Sequence, residues 1–567
     1  MKSRIASRTR ARTDSSTPKD ESTERLTALT EWSVAILLTV ASVGLHVTTF
    51  RYQGALWRDE ANAVEMGRMT LRQAWAHLPF DSILMGPILV LRAMALAGLS
   101  ANDTALRALG MTLGLAVLVA LWWAALHLSG HPPLVALLLF GLSPVGVRYG
   151  DSLRAYPFVT LTLVVAFALL SRAARDPSVR AVTLASLAAA AAVQCSYLSA
   201  VLIGALCAGG LIATFRFRSL RRTAAVLVPG LAAVASLLVY RERMQASWAI
   251  LDVQVRPLRI GEVVEQLSAT LATPSRLFLL LWLAGLAAGV VAGVYRVSIR
   301  SREDRARDVE TVAFLGTALC VAVLLYLFFL KRVGVEPHPW HFTPLLAFSA
   351  VSLDGLVGLG AAAAPFARVA LAALVAVGGL AAFPEAERFT HIRKTNIDRV
   401  AAVLTERAAA GDLVVVSPYH SGISFQRYYH GAAEWTTLPP VNDHRVHRYD
   451  LLKAAMVSRD PLAPVLRRAK DALSSGHRVF VVVDVPIFQK HPAWLETPPV
   501  PNPDWGWHAG FHFRVWALQF GYFLQTHATR GGQVVLPGDE DVSPYERMLL
   551  IETEGYASRG ADSPLAQ

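Results

Sequence analysis

Three segments of this 567-residue chain gather residue types that can do chemistry. Arg58-Asp59-Glu60 sets a cation beside two adjacent carboxylates. Arg148-Tyr149-Gly150-Asp151-Ser152-Leu153-Arg154-Ala155-Tyr156 packs two arginines, an acid and two tyrosines into nine residues. Lys331-Arg332 is followed by Glu336-Pro337-His338-Pro339-Trp340-His341. A positioned carboxylate can act as general base toward a hydroxyl. An arginine fork can hold a phosphate through two parallel hydrogen bonds. A Lys-Arg pair can attract an anionic headgroup. Each segment also has a structural reading, and the residues alone leave both open. Asp59 can cap the helix after it, with Glu60 near the positive helix end. Tyr149 and Tyr156 can be interfacial anchors beside snorkelling arginines, which accounts less well for Asp151 together with Arg154. Lys331-Arg332 can be ordinary interfacial anchoring.

The elements that must position these residues are set by composition. Hydrophobic residues make up 54% of the chain and charged residues 17%, and the mean hydropathy is +0.40. This excludes a disordered chain and argues against a wholly soluble one. Apolar runs near 20 residues, the length that crosses a ~30 Å hydrocarbon core, indicate a polytopic α-helical membrane protein. Spans are expected near 31–50, 104–127, 133–148, 156–172, 180–195, 197–215, 223–240, 276–296, 310–330, 341–358 and 366–383. The net charge of +12 sits in short segments between these runs, which is the pattern of positive-inside loops and not of a nucleic-acid surface. With residues 1–30 (Arg8, Arg10, Arg12, Lys19 and Arg25) as a cytoplasmic tail, the basic loops at 172–180, 216–222 and 296–307 share the inner face. The three chemical segments and the region after 384 then lie outside.

Within the outer loop 51–103, residues 60–78 read as helix. The apolar stretch 83–99, which carries Arg92, is too short for a span and reads as interfacial or re-entrant. Residues 384–567 form an expected extracytoplasmic α/β domain. Helices are expected at 387–410, 450–475 and 511–527, buried strands at 412–417 and 477–484, and an extended segment at 545–552. No phosphate-binding glycine loop, GxSxG or HExxH is present. His508 and His512 are a weak metal pair without a third ligand. Cys195, Cys207 and Cys320 read as small buried hydrophobes.

These segments resemble the GT-C membrane glycosyltransferases, and in particular the bacterial branch of the dolichyl-phosphate-mannose protein mannosyltransferase superfamily, which includes the lipid A aminoarabinose transferases. The D-E in the family's first loop matches Asp59-Glu60. Its Y-x-x-E-A-R-x-Y loop is similar to Tyr149–Tyr156, with Arg154 and Tyr156 matching and Ser152 standing where Glu is common. The helix after Arg107 resembles the family's next segment. Pro339-Trp340-His341-Phe342-Thr343-Pro344 resembles a late R-Y-x-x-P element, with His341 departing from it.

The resemblance covers roughly 31–383 and implies an inverting transferase. Such an enzyme moves a sugar from a polyprenyl-phosphate donor to a lipid, glycan or protein acceptor on the outer face of the cell membrane. Asp59 and Glu60 would be its catalytic carboxylates, with Asp59 taking the acceptor proton. Arg58, Arg154, Lys331 or Arg332 would hold the donor phosphate. Asp151, Tyr149, Tyr156 and His341 would complete the site. No cofactor is required; a divalent cation on Asp59 and Asp151 is compatible, but nothing demands it. A transporter or flippase would be expected to show paired repeats, and none is evident. A non-catalytic anchor for the C-terminal domain would not need the acidic outer loop.

Overall fold

The computed structural model describes residues 18–215, 219–299, 302–362, 365–538 and 540–557. Arg8, Arg10, Arg12, Arg216, Arg218 and Arg300 lie outside the described residues. Among those described, eight helices are long and apolar enough to cross a membrane: Ser22–Tyr52, Asp103–Leu128, Ala155–Arg175, Leu220–Gln254, Arg276–Ser298, Asp308–Val333, Pro339–Ala361 and Pro365–Thr390. The chain is a multi-pass membrane protein. The Pro339–Ala361 helix is central and buried along nearly its whole length, while its neighbours present Leu, Val and Phe outward.

The other three expected spans take different forms. Val179–Cys195 and Ser199–Thr214 are helices of 17 and 16 residues. The 133–148 stretch is not one helix. It runs through a π-turn at Leu137–Gly141, stops at Ser143, and restarts at Pro144–Gly150 with the Ser143 hydroxyl accepting from Gly146 N–H at 3.2 Å. Pro144 has no N–H to continue the preceding ladder and is well placed to begin a new helix. Asp354, on the central helix, accepts the Val135 and Ala136 N–H groups at 2.8 and 3.1 Å and so satisfies the start of this broken segment.

The outer loop 51–103 folds into the helices Arg58–Arg68, Leu71–His77 and Met85–Leu96. Met85–Leu96 has 12 residues, about 18 Å of helix, which is too short to cross. It packs on Arg58–Arg68, where a Cβ on Gly67 would sit 2.7 Å from Leu91 Cβ.

The C-terminal region is an α/β domain around a five-stranded mixed sheet. Its strands are β1 Leu413–Ser417, β2 Glu434–Thr437, β3 Val479–Val483, β4 Ala528–Val534 and β5 Leu549–Tyr556, in the order β2-β1-β3-β5-β4. β1 runs parallel to both β2 and β3, and β5 runs antiparallel to β3 and β4. β1 and β3 are buried throughout because helices cover both faces of the sheet. The expected helix over 387–410 is interrupted: Ile397–Arg407 is separate because Asn396 exchanges two hydrogen bonds with Met548 and holds the chain in a turn. The expected helix over 450–475 divides into Tyr449–Val457 and Ala463–Ser474 at Pro461, since the residue before proline is driven out of helical geometry.

This domain is clamped onto the outer loop. Arg427 binds Asp103 at 2.5 Å, the Tyr428 hydroxyl accepts the Leu56 N–H at 2.8 Å, and Lys394 N–H donates to Gln53 O at 2.8 Å.

Candidate active site

A cavity of about 390 Å³ opens between one end of the membrane helices and the C-terminal domain. The outer loop contributes Arg58, Asp59 and Asp81 to its wall, and the membrane helices and their connections contribute Arg154, Tyr156, Tyr197, Glu336 and His341. His420, His447, Tyr449 and His508 come from the C-terminal domain. His420 follows β1 at the carboxyl end of the parallel strands, where open α/β sheets place ligand sites.

Asp59 is fixed at the start of the Arg58–Arg68 helix but does not cap it. The Arg58 N–H is instead satisfied by the Glu546 carboxylate at 3.0 Å, and no side chain at the N-cap Trp57 accepts. Asp59 Oδ1 lies 3.1 Å from His447 Nε2 and 3.8 Å from Arg58 Nε. Burial opposes its charge, but the His447 bond and the charges of Arg154 and Arg58 outweigh that and hold the carboxyl well below the usual range. The Arg58 guanidinium lines the cavity and donates to Tyr545 O at 3.1 Å.

Arg154 also reaches the cavity, but its fork is engaged. Nη1 donates to Asp81 Oδ2 at 2.7 Å and to Asp59 O at 3.3 Å, and Nη2 donates to Asp81 Oδ1 at 2.6 Å. Its Nε has no hydrogen-bond partner among the described residues. Arg154 therefore positions the Asp59 backbone and lends charge to the wall. Tyr156 and His341 both line the cavity, with ring centroids 6.4 Å apart.

Other expected site residues fall elsewhere. Glu60 is fully buried and points away from the cavity. It accepts from Arg107 Nη1 at 2.7 Å, Lys394 Nζ at 2.6 Å and Leu153 N–H at 3.2 Å, so its oxygens join four separate segments of chain. Asp151 is buried against His46, Oδ1 to Nδ1 at 2.7 Å, with Gly110 and Gly114 pressed against it from the Asp103–Leu128 helix. Burial raises its carboxyl above the usual range, against the pull of His46. Tyr149 packs edge-on against Trp340, with centroids 5.5 Å apart, and does not line the cavity. Lys331 and Arg332 are exposed at the end of their helix and also lie off it.

A cation shared by Asp59 and Asp151 does not fit this arrangement, because the two carboxylates are held by different histidines and only Asp59 reaches the cavity. Among the described residues, no three His, Cys, Asp or Glu side chains gather as a metal group.

Sequence reasoning passed over Asp81, His420 and His447. The dense polar run Asp443-His444-Arg445-Val446-His447-Arg448-Tyr449-Asp450 was the available signal for His447. For Asp81 there was only an acid after Pro79-Phe80 in the outer loop.

No family model matches the chain, and no curated protein does. Solved structures do. The crystal structure of ArnT from Cupriavidus metallidurans bound to undecaprenyl phosphate is 12% identical, with a TM-score of 0.50 over 79% of this chain and 92% of that one. The apo-state crystal structure of the same protein is also 12% identical, with a TM-score of 0.49 over 80% and 93%. This chain therefore has an ArnT-like fold, in keeping with its resemblance to the GT-C glycosyltransferases.

Proposed function

We propose that the protein is an inverting glycosyltransferase. It moves a sugar from a polyprenyl-phosphate donor to a hydroxyl of a lipid, glycan or protein at the outer face of the cell membrane. The observation that carries this reading is the cavity where the outer helix ends meet the C-terminal domain, with Asp59 and Arg58 side by side in its wall. The fold shared with ArnT, crystallised with undecaprenyl phosphate, supports it. So does the single-sided distribution of arginine loops in the sequence, which fits an N-terminus inside and this cavity outside.

The donor's anomeric carbon lies at headgroup level, beside the cavity wall. Arg58 donates to the phosphate, which leaves as a stable anion and needs charge neutralisation more than a proton. The acceptor hydroxyl attacks from the side of Asp59, whose carboxylate drives removal of the proton. One displacement inverts the anomeric centre. Tyr156, Tyr197, His341 and Tyr449 give the sugar aromatic walls. The donor is already lipid-linked, so no nucleotide site is required.

The test is purified full-length protein given a panel of radiolabelled polyprenyl-phosphate hexoses and pentoses, with extracted envelope as acceptor source. The expected result is release of polyprenyl phosphate and label in the acceptor, falling ~10²–10⁴-fold in Asp59→Asn. Wild-type turnover in Asp59→Asn would remove Asp59 from the chemistry. Inertness of the wild type toward the whole panel would remove the reading.

A further inference from the structure

Asp59 faces a histidine supplied by the other half of the chain, 388 residues away. Besides its 3.1 Å contact from Nε2 to Asp59 Oδ1, His447 donates its backbone N–H to Asn62 Oδ1 at 3.1 Å. Its ring stacks on Tyr449 with centroids 5.5 Å apart. The ring is buried, fixed in place, and part of the cavity wall. An ionised carboxylate only accepts hydrogen bonds, so Nε2 carries the proton, and in the neutral ring Nδ1 carries the lone pair. Nδ1 is buried with no hydrogen-bond partner among the described residues. Buried polar atoms are nearly always paired, and an exception calls for a role.

We infer that His447 Nδ1 takes the acceptor's proton, with Asp59 as the carboxylate that fixes the imidazole's tautomer and balances its charge. This deepens the glycosyl-transfer reading and rests on it. A carboxylate surrounded by Arg58, Arg154 and His447 holds a proton weakly, whereas imidazole is the most frequent general base in enzymes. In the step, the acceptor oxygen forms a bond to the anomeric carbon as its hydrogen passes to Nδ1. The bond from the anomeric carbon to the phosphate oxygen breaks with its electron pair on that oxygen. The imidazolium, held against Asp59 through Nε2–H, then gives its Nδ1 proton to water. The catalytic site is thereby split between the membrane domain, which binds the donor, and the C-terminal domain, which supplies the base. This accounts for a soluble domain clamped over the cavity.

The experiment uses the full-length protein and the donor panel described above, with two variants. His447→Ala removes the ring. His447→Gln keeps an N–H donor toward Asp59 but has no basic nitrogen. The expected result is a loss of at least ~100-fold in both, at unchanged melting temperature, with at least a tenfold recovery of His447→Ala on adding free imidazole. Three outcomes overturn the inference: near-normal turnover in His447→Ala, activity restored by Gln, or no response to imidazole in a folded Ala variant. If His447→Ala unfolds, His447→Gln decides alone, inactivity supporting the base and activity overturning it. A wild type inert toward the panel would instead defeat the underlying transferase reading, so the two failures are distinguishable.

Discussion

Arg154 and Asp81 form a two-pronged ion pair across 73 residues of sequence, with both N–O distances at or below 2.7 Å and side chains only 7% and 2% exposed. The pair joins the connection before the Ala155–Arg175 helix to the outer loop. Through its third contact, to Asp59 O, it sets the position of the carboxylate at the cavity. Removing one partner leaves the other charge buried without its ion-pair partner, which costs ~3–5 kcal/mol. Arg154→Ala and Asp81→Ala are each expected to lower the melting temperature markedly and to abolish transfer. Arg154→Gln with Asp81→Asn is expected to melt above either single Ala variant, because no unpaired charge is left behind. A double variant that melts no higher would show that the pair is not the coupling it looks to be.

Arg58 and the Lys331-Arg332 pair separate in the structure: only Arg58 lines the cavity. Arg58→Ala is expected to reduce transfer at least ~10-fold, in line with ~1.5–3 kcal/mol for a hydrogen bond to a charged group. Lys331→Ala and Arg332→Ala are expected to stay within about twofold of wild type, as exposed substitutions usually do. Initial rates on the same donor test this, and a larger loss from the Lys331 or Arg332 variants would move the phosphate site.

Gly114 lies against the Asp151 carboxylate and the His46 ring, and Gly110 against the Asp151 carbonyl oxygen. A methyl group at either position must displace buried atoms of Asp151. Gly110→Ala and Gly114→Ala are expected to destabilise the protein by ~1–3 kcal/mol, the scale of overpacking. Gly316→Ala has nothing within 4 Å of the added carbon and is expected to be neutral. Thermal unfolding in detergent distinguishes the three.

Glu546 is 1% exposed and accepts from the Arg58 N–H and the Ser424 hydroxyl. Burial pushes its carboxyl up to about 7, against the pull of Arg58. An acid raised on folding carries no cost below its unfolded value near 4.5. The cost grows as pH climbs from there to about 7 and is constant above. Glu546→Gln is therefore expected to stabilise the protein at pH 8, by up to about 3 kcal/mol, and to change little at pH 4.5. A variant with the same effect at both pH values would exclude this origin.

The sequence alone was enough to establish that this is a membrane protein with an α/β domain after its last apolar run. Burial in lipid needs long apolar helices, and β1 and β3 read as continuous valine-rich runs because both their faces are covered. It also pointed to Asp59 and Arg154, since charged residues at the edge of apolar spans are costly and stand out. β2 and β4 were not legible. β4 is an edge strand of Thr529-Arg530-Gly531-Gly532 whose order comes from pairing with β5, not from its own preference.

The division of labour among the polar residues was decided only by the tertiary structure. Asp59 and Glu60 are neighbours in sequence and equivalent in chemistry, yet successive helical residues point about 100° apart. One meets the cavity and His447, while the other meets Arg107 and Lys394. Arg154 has Asp151 three residues before it, but it bonds Asp81, while Asp151 bonds His46. An ion pair's energy depends on distance and burial, and both are set by which segments pack together. Spacing along the chain could bring the right residue types to the ends of the spans, but the packing of distant segments chose their partners.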